Sequence, residues 1–119
     1  VDRRQRQMCI RDRRMYDEVN SPNLKILIDT TAMSVQGETI DDWFDVFGDE
    51  VIHTHFIDSN PYGHLAWGFG NRSLQEYLEA LNRHNYQGCL GQELTEFDYY
   101  ENPGEIDRKN MAAFEPFIR

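Results

Sequence analysis

Three short apolar runs, each with a possible metal ligand near its end, constrain this chain more than any other feature. The runs are residues 24–29, 51–57 and 89–94, and the ligands are Asp29, His55 and Glu93. Segments with helical periodicity separate them, and alternation of strand and helix is typical of an α/β fold with a parallel sheet. Ligands gather at the carboxyl ends of the strands in such sheets. The three side chains therefore predict one shared site.

The segments between and after the runs carry helix signals. Residues 39–47 repeat apolar side chains at helical spacing, and Gly48 closes this helix. Ser73 predicts the N-cap of a second helix that ends near residue 84, with Glu76 completing a capping box. A last helix is predicted from 106 to 118, with Met111, Phe114 and Ile118 on one side.

The strands and their loops indicate a piece of a larger fold. Residues 24–29 are apolar nearly throughout, which predicts a strand buried on both faces. The loop from Asp58 to Arg72 is long for a βα connection, and long loops often carry function. A parallel sheet of three strands leaves two exposed edges, which natural proteins usually hide. We therefore expect these three βα units to be part of something larger.

Residues 1–14 differ in charge from the rest of the chain. They hold six of the twelve Lys and Arg residues and two of the twenty-one acidic ones, which leaves the remainder a net charge of −13. The run Arg-Gln-Arg-Gln-Met-Cys-Ile-Arg-Asp-Arg resembles the translated read-through of a sequencing adapter. We interpret 1–14 as a non-native, adapter-derived segment or a helix end, and 15–119 as the domain. A basic arm for nucleic acid is disfavoured, because the acidic remainder would repel phosphate.

Cysteine use and hydropathy bear on the compartment. Outside residues 1–14 the chain has one cysteine, Cys89, so no disulfide framework exists and a reducing cytoplasm is the natural setting. No apolar run approaches the ~18 residues that a membrane span needs, and no signal peptide is evident. We expect a cytoplasmic protein with no membrane partner.

Each candidate ligand alone has an ordinary explanation. An aspartate after a strand, such as Asp29, is more often a helix cap or turn former, and a strand histidine such as His55 is usually a satisfied core residue. Glu93 is more informative, because burying an unpaired carboxylate costs several kcal/mol. Together, carboxylate and imidazole ligands without cysteine suit a divalent ion such as Mn²⁺, Co²⁺ or Mg²⁺ rather than structural zinc.

Four segments, taken in order, match the pattern of a known family. They are Leu-Ile-Asp-Thr, then Gly-Asp-x-Val-Ile-His-Thr-His-Phe-Ile-Asp-Ser-Asn, then Gly-Phe-Gly, then Tyr-Gln-Gly-Cys-Leu-Gly-Gln-Glu-Leu. The chain thereby resembles the sugar phosphate isomerase/epimerase superfamily, which has a xylose isomerase-like (β/α)₈ TIM barrel. Within it the resemblance is strongest to the ketose 3-epimerases, including the tagatose/psicose and fructoselysine types. It implies that 15–119 are the carboxyl-terminal three βα units of such a barrel.

The resemblance also implies a metal site and a reaction. In the family, two glutamates, an aspartate and a histidine hold one divalent metal, and Asp29, His55 and Glu93 match three of these ligands. Glu93 would also be one of two acid/base catalysts, which move the C3 proton of a sugar through a cis-enediolate. The other glutamate belongs to an earlier strand that this sequence does not contain. We therefore expect an isomerase as the full-length protein and no turnover by this chain alone.

The long loop is where the family contacts its small-molecule sugar substrate. His64, Trp67 and Phe69 are candidate substrate-binding residues there. His64 could instead be a solvated loop histidine, and the two aromatic rings could instead pin the loop to the barrel. Many sugar epimerases have a histidine at the position of Ala32 and an arginine at that of Pro61. Because the fructoselysine-type members also lack these, we expect a substrate other than the simple free ketose.

Two other functions fit parts of the pattern. An abasic-site endonuclease of the same superfamily would use several zinc ions and a basic DNA face, which the acidic balance and the four histidines disfavour. A non-catalytic sugar- or metal-binding barrel would keep the metal ligands and lack the second base. A homo-oligomer of the full-length protein is compatible with the sequence.

Overall fold

A computed structural model describes residues 3–118, with side chains from Ile10 onward. The helices are α1 (Arg3–Val19), α2 (Thr30–Val35), α3 (Ile40–Phe47), α4 (Leu74–Arg83) and α5 (Pro103–Phe114). The strands are β1 (Ile26–Asp29), β2 (Val51–His55) and β3 (Cys89–Gly91). Three 3₁₀ turns cover Gly48–Glu50, Phe97–Glu101 and Glu115–Phe117. None of the described helices is long and apolar enough to cross a membrane.

The three strands form one parallel sheet, as the alternation of elements predicts, and their order is β1-β2-β3. Asp29 pairs with His55, and His55 pairs with Gly91, so the strand ends are level across the sheet. Nearer the start of the strands, Ile26 pairs with Val51 but Leu27 with His53. Ile52 is thus an extra residue in β2, and this bulge restores the register that brings Asp29 and His55 side by side.

The apolar core lies on one face of the sheet. Ile28 and Phe56 are buried there among the apolar side chains of α3 and α4. The prediction that β1 is buried on both faces is wrong in the described chain, since Leu27 is 42% exposed. Leu27 lies on the opposite face, in one row with His53 and Cys89. Apolar sequence alone predicted burial, but the cover over that face decides it.

Local capping signals place α3 and α4 correctly. The Thr39 side chain accepts a hydrogen bond from the Asp42 N–H, and the Asp42 side chain accepts one from the Thr39 N–H, which forms a complete capping box. At α4, the Ser73 hydroxyl accepts a hydrogen bond from the Glu76 N–H, so half of the predicted box is found there. Gly48 ends α3 with a φ of 52°, a left-handed conformation that favours glycine.

The last helix differs from its prediction in position and in buried face. It begins at Pro103 after an Asn102 cap and ends at Phe114. Phe114 packs against the core as predicted, but Met111 and Ile118 are exposed and Asn110 is fully buried. The apolar pattern failed at two of its three positions because a polar side chain, Asn110, faces the interior instead.

Helix α1 continues through the segment that the charge distribution set apart. Beyond residue 12 it is joined to the domain, because Arg13 donates a hydrogen bond to the Val46 carbonyl and Tyr16 donates one of 2.5 Å to Glu50. The interpretation of residues 1–14 as adapter-derived or as a helix end stays a prediction.

Asp41 ties α3 to α4 and gives the fold a pH dependence. Its carboxylate accepts a hydrogen bond of 2.7 Å from Arg83 and lies 2.6 Å from His84 Nε2. Hydrogen bonding from Arg83, with a further contribution from His84, lowers the pKa of Asp41 below its ordinary 3.8. The unfolded chain then binds the proton first as the pH falls, so this stabilisation is present above that value and lost in acid.

We therefore predict that Asp41→Asn removes part of the acid sensitivity of folding. In urea titrations, the free energy of unfolding of the unchanged chain should fall as the pH drops from about 5 to about 3, and the variant should show a shallower fall. The matched control is Asp45→Asn on the exposed side of α3, which should keep the full slope. Equal slopes for Asp41→Asn and the unchanged chain would contradict the prediction.

Candidate metal centre

The structure brings Asp29, His55 and Glu93 together at the carboxyl ends of the strands. His55 Nδ1 lies 3.0 Å from Glu93 Oε2 and 3.6 Å from Asp29 Oδ2. One ligand atom from each residue lies within 4.8 Å of the others. The convergence expected from the sequence is therefore present, and the assignment of these residues as metal ligands stays a prediction.

Asp29 uses its two carboxylate oxygens for different purposes. Oδ1 accepts a hydrogen bond of 2.9 Å from the Ala32 N–H and so caps α2, a short helix that the sequence did not predict. Oδ2 is the oxygen nearest His55. The ordinary explanation of this aspartate, a helix cap, thus holds for one oxygen and leaves the other available to a cation.

Glu93 differs from its prediction in environment. It lies two residues beyond the end of β3, and its side chain is 42% exposed, so the inference from the cost of burying a carboxylate does not apply. Gly91 lies in the same row as His55, and a Cβ there would lie 2.5 Å from the Thr54 carbonyl and 2.9 Å from His53 Nε2. The glycine makes room in a crowded row, as predicted.

A buried carboxylate organises the long loop beside these ligands. Asp58 Oδ1 accepts hydrogen bonds from the N–H groups of Ser59 and Arg72, at 2.8 and 3.0 Å. Its Oδ2 accepts from Gly68 and Gly70, at 3.1 and 2.8 Å. A Cβ at Gly70 would collide with this carboxylate. Asp58 is thus a structural residue of the site that sequence reasoning missed, although the Gly-x-Gly ten residues later was a usable signal.

The loop carries His64 to the three candidate ligands. His64 Nδ1 lies 3.1 Å from Glu93 Oε2, and Nε2 lies 3.8 Å from Asp29 Oδ2. The side chain is partly buried. The alternative of a freely solvated loop histidine therefore does not describe this structure.

The two aromatic candidates of the loop have different places. Trp67 is only 2% exposed, its indole N–H donates to the Phe56 carbonyl, and its backbone N–H donates to Asn110 Oδ1. A substrate could not reach this ring, so the structure favours the alternative that it pins the loop to the sheet. Phe69 is exposed and packs edge-on against Tyr99.

The donor set fits a divalent cation. The carboxylates of Asp29 and Glu93 face one point, and two such groups repel each other unless a positive charge lies between them. The third side chain, His55, adds one imidazole nitrogen as a donor. Oxygen and nitrogen donors without thiolate are the set that Mn²⁺, Co²⁺ or Mg²⁺ accepts. All three side chains are partly buried, so solvent screens their charges only in part and a ligand can still reach them.

Comparison with known proteins gives the family. The model of the xylose isomerase-like TIM barrel family matches residues 13–116. The chain belongs to this family. Fructoselysine 3-epimerases from Escherichia coli O157:H7 and Shigella flexneri are each 29% identical to it over 102 residues. These matches cover 84% of this chain and 37% of each relative.

A solved structure supports the same family. The crystal structure of a D-tagatose 3-epimerase-like protein matches with a TM-score of 0.53 and 25% identity, over 83% of this chain and 39% of that one. The predicted class, a parallel α/β piece of a TIM barrel, is thereby confirmed. The chain spans about two fifths of the length of the relatives it matches.

Loss of the Asp58 carboxylate should unfold the loop or the domain. Asp58→Ala leaves four buried or partly buried N–H groups without their acceptor, and each such group costs about 1–3 kcal/mol. We predict a fall in the free energy of unfolding of about 3 kcal/mol or more by urea titration. The control Asp98→Ala, at an exposed position of the 3₁₀ turn Phe97–Glu101, should stay within about 0.5 kcal/mol. Equal effects of the two variants would contradict the assigned role.

A divalent metal should stabilise the chain through the three ligands. Mn²⁺ at about 100 times its Kd should add about 2.7 kcal/mol to the free energy of unfolding, seen as a higher Tm. Glu93→Gln and Asp29→Asn should abolish most of this shift. The exposed Glu79→Gln on α4 is the control and should keep it. A shift that survives both ligand substitutions would place the metal elsewhere.

Proposed function

We propose that this chain provides the carboxyl-terminal part of a metal-dependent sugar 3-epimerase or isomerase. The observation that carries the proposal is the convergence of Asp29, His55 and Glu93 at the ends of three successive parallel strands. The matched relatives include proteins named as fructoselysine 3-epimerases, and this family context supports a sugar as the substrate class.

Asp29 Oδ2, His55 Nδ1 and Glu93 would hold Mn²⁺, Co²⁺ or Mg²⁺. When bound, such an ion polarises a substrate carbonyl and makes the neighbouring C–H more acidic. His55 is oriented for this by its place at the end of β2, level with Asp29 on the adjacent strand. Asp29 is fixed in turn by the hydrogen bond that its other oxygen accepts from α2.

Glu93 would take or return the proton at the carbon next to the carbonyl. Its carboxylate is the most exposed of the three and lies beyond the end of β3, so a substrate above the sheet can reach it. Inversion at carbon needs a second proton carrier on the opposite face of the sugar. The relatives extend well beyond the part matched here. We therefore propose catalysis for the complete barrel and not for these residues alone.

His64 and Phe69 are the proposed substrate contacts of the long loop. His64 lies beside Glu93, and the exposed ring of Phe69 offers an apolar face to a sugar. Trp67 has no such role in this proposal because it is buried. Ala32 and Pro61 leave no charged side chain at two positions where many sugar epimerases have one, which favours a derivatised sugar over a simple free ketose.

A non-catalytic sugar- or metal-binding barrel is the second candidate. It is supported by the composition of the site, because the carboxylates that the described residues bring there are Asp29, which caps α2, and Glu93. They supply one candidate proton carrier, whereas inversion at carbon needs two. Such a protein would bind the ion and the sugar and leave the substrate proton in place.

A chimera separates the two candidates. Residues 15–119 would replace the matching part of the E. coli O157:H7 fructoselysine 3-epimerase, and exchange of the substrate C3 proton with deuterated water would be followed by NMR. We predict metal-dependent exchange that Glu93→Gln lowers by about 100-fold or more. The control Glu105→Gln, on the exposed side of α5, should exchange normally. A folded, metal-binding chimera without exchange would contradict catalysis and support the binding barrel.

A further inference from the structure

We propose that His64 is an additional ligand of the metal, the fourth from this chain, bound through Nδ1. This inference rests on the metal centre proposed above and adds to it a residue from the long loop. Metal affinity measured without sugar separates this role from the substrate contact proposed for the same side chain. A metal ligand changes that affinity, whereas a residue that contacts only the sugar does not.

The imidazole nitrogens of His55 and His64 lie at distances from Glu93 that suit a shared cation. Atoms in adjacent positions around one cation, each about 2.0–2.2 Å from it, lie about 2.8–3.6 Å from one another. Glu93 Oε2 lies 3.0 Å from His55 Nδ1 and 3.1 Å from His64 Nδ1, so it has a nitrogen at this spacing on two sides. The His64 ring also lies 3.8 Å from Asp29 Oδ2 through its other nitrogen. The ring therefore stands between the two carboxylates.

His64 Nδ1 is a buried nitrogen without a hydrogen bond among the described residues. This atom is shielded from solvent and has no hydrogen-bond partner among the described residues, although Glu93 is at hydrogen-bond distance. A distance in range without alignment means that the two atoms do not point at each other. A buried polar atom without a partner is unfavourable. A cation beside both atoms would satisfy the nitrogen and the carboxylate together.

The backbone before His64 is fixed to the segment that carries Asp29. Thr31, two residues after Asp29, donates a hydrogen bond of 2.7 Å to the Gly63 carbonyl. Gly63 has a φ of 95°, which a side chain rarely adopts, and a Cβ there would lie 2.7 Å from Glu96 Oε1. Only glycine allows the chain to turn here and direct the next side chain toward the carboxylates.

The backbone of His64 itself is fixed to the segment that carries Glu93. Thr95, two residues after Glu93, donates its N–H to the His64 carbonyl at 3.3 Å. The His64 N–H donates in turn to Glu96 Oε1 at 3.3 Å. Together with the Thr31 bond, this ties the histidine to both segments that supply carboxylates. Such positioning by neighbouring hydrogen bonds is what a ligand requires.

The first test is Co²⁺ affinity, measured by calorimetric titration of the intact 119-residue chain. His64→Ala should weaken Co²⁺ binding at least about tenfold. Loss of a residue that only hydrogen-bonds to a metal ligand already lowers metal affinity by that factor. His84→Gln is the matched control, since His84 lies at the end of α4 and contacts Asp41 rather than any of the three ligands. That control should bind Co²⁺ within about twofold of the unchanged chain. Circular dichroism establishes that each variant is folded.

The second test is spectroscopic and does not depend on a loss of affinity. His64→Cys should give Co²⁺ a thiolate charge-transfer band in the near ultraviolet. The unchanged chain holds the same two other cysteines and is the reference. Weaker binding by His64→Ala together with the new band supports the inference. Unchanged affinity and no band, in a chain that binds Co²⁺ through Asp29 and Glu93, overturns His64 alone. Absence of any Co²⁺ binding by the unchanged chain overturns the metal centre as well.

Discussion

The parallel register between β1 and β2 is the constraint on which the site depends. One extra residue, Ile52, shifts β2 so that Asp29 and His55 become neighbours at the same level of the sheet. Without that shift the two side chains would stand at different heights. The adjacent strand contributes Gly91 to the same row, and the missing side chain leaves space for the histidines of β2. Glu93 then approaches from just beyond the strand.

The second organising element is the loop between β2 and α4. Its shape comes from Asp58, whose carboxylate collects four backbone N–H groups from both ends of the loop. Asn110 on α5 holds the middle of the loop by accepting from the Trp67 N–H, and it also donates to Gln92 next to Glu93. Buried polar groups thus connect the loop, the end of β3 and the last helix. This network explains why a loop of such length can hold His64 at a defined place.

The sequence predicted the parts of the fold that local chemistry determines. The parallel sheet follows from the alternation of strand and helix, and the positions of α3 and α4 follow from apolar periodicity, the Thr39 and Ser73 caps, and glycine at a left-handed turn. Asp29, His55 and Glu93 were expected to lie together because the carboxyl ends of neighbouring parallel strands lie at one edge of the sheet. The family resemblance added the expected chemistry of these residues.

The errors have a common cause, which is that burial depends on the partner surfaces and not on the residue alone. Leu27 is apolar and exposed, Asn110 is polar and buried, and Trp67 is an aromatic loop residue that lies in the core. Asp58 joins the site through hydrogen bonds from backbone groups up to 14 residues later in the sequence, which apolar periodicity does not indicate. Helix α2 was not predicted, although a cap role for Asp29 was recognised, because its six residues are too few to show a helical apolar repeat.

A crystal structure with Mn²⁺, located by its anomalous scattering, tests the central claim most directly. We expect one strong peak at about 2.0–2.3 Å from Asp29 Oδ2, His55 Nδ1 and a Glu93 oxygen. A peak at another acidic cluster, such as Asp41, or no peak at a saturating Mn²⁺ concentration, would contradict the assignment of these residues as a metal centre.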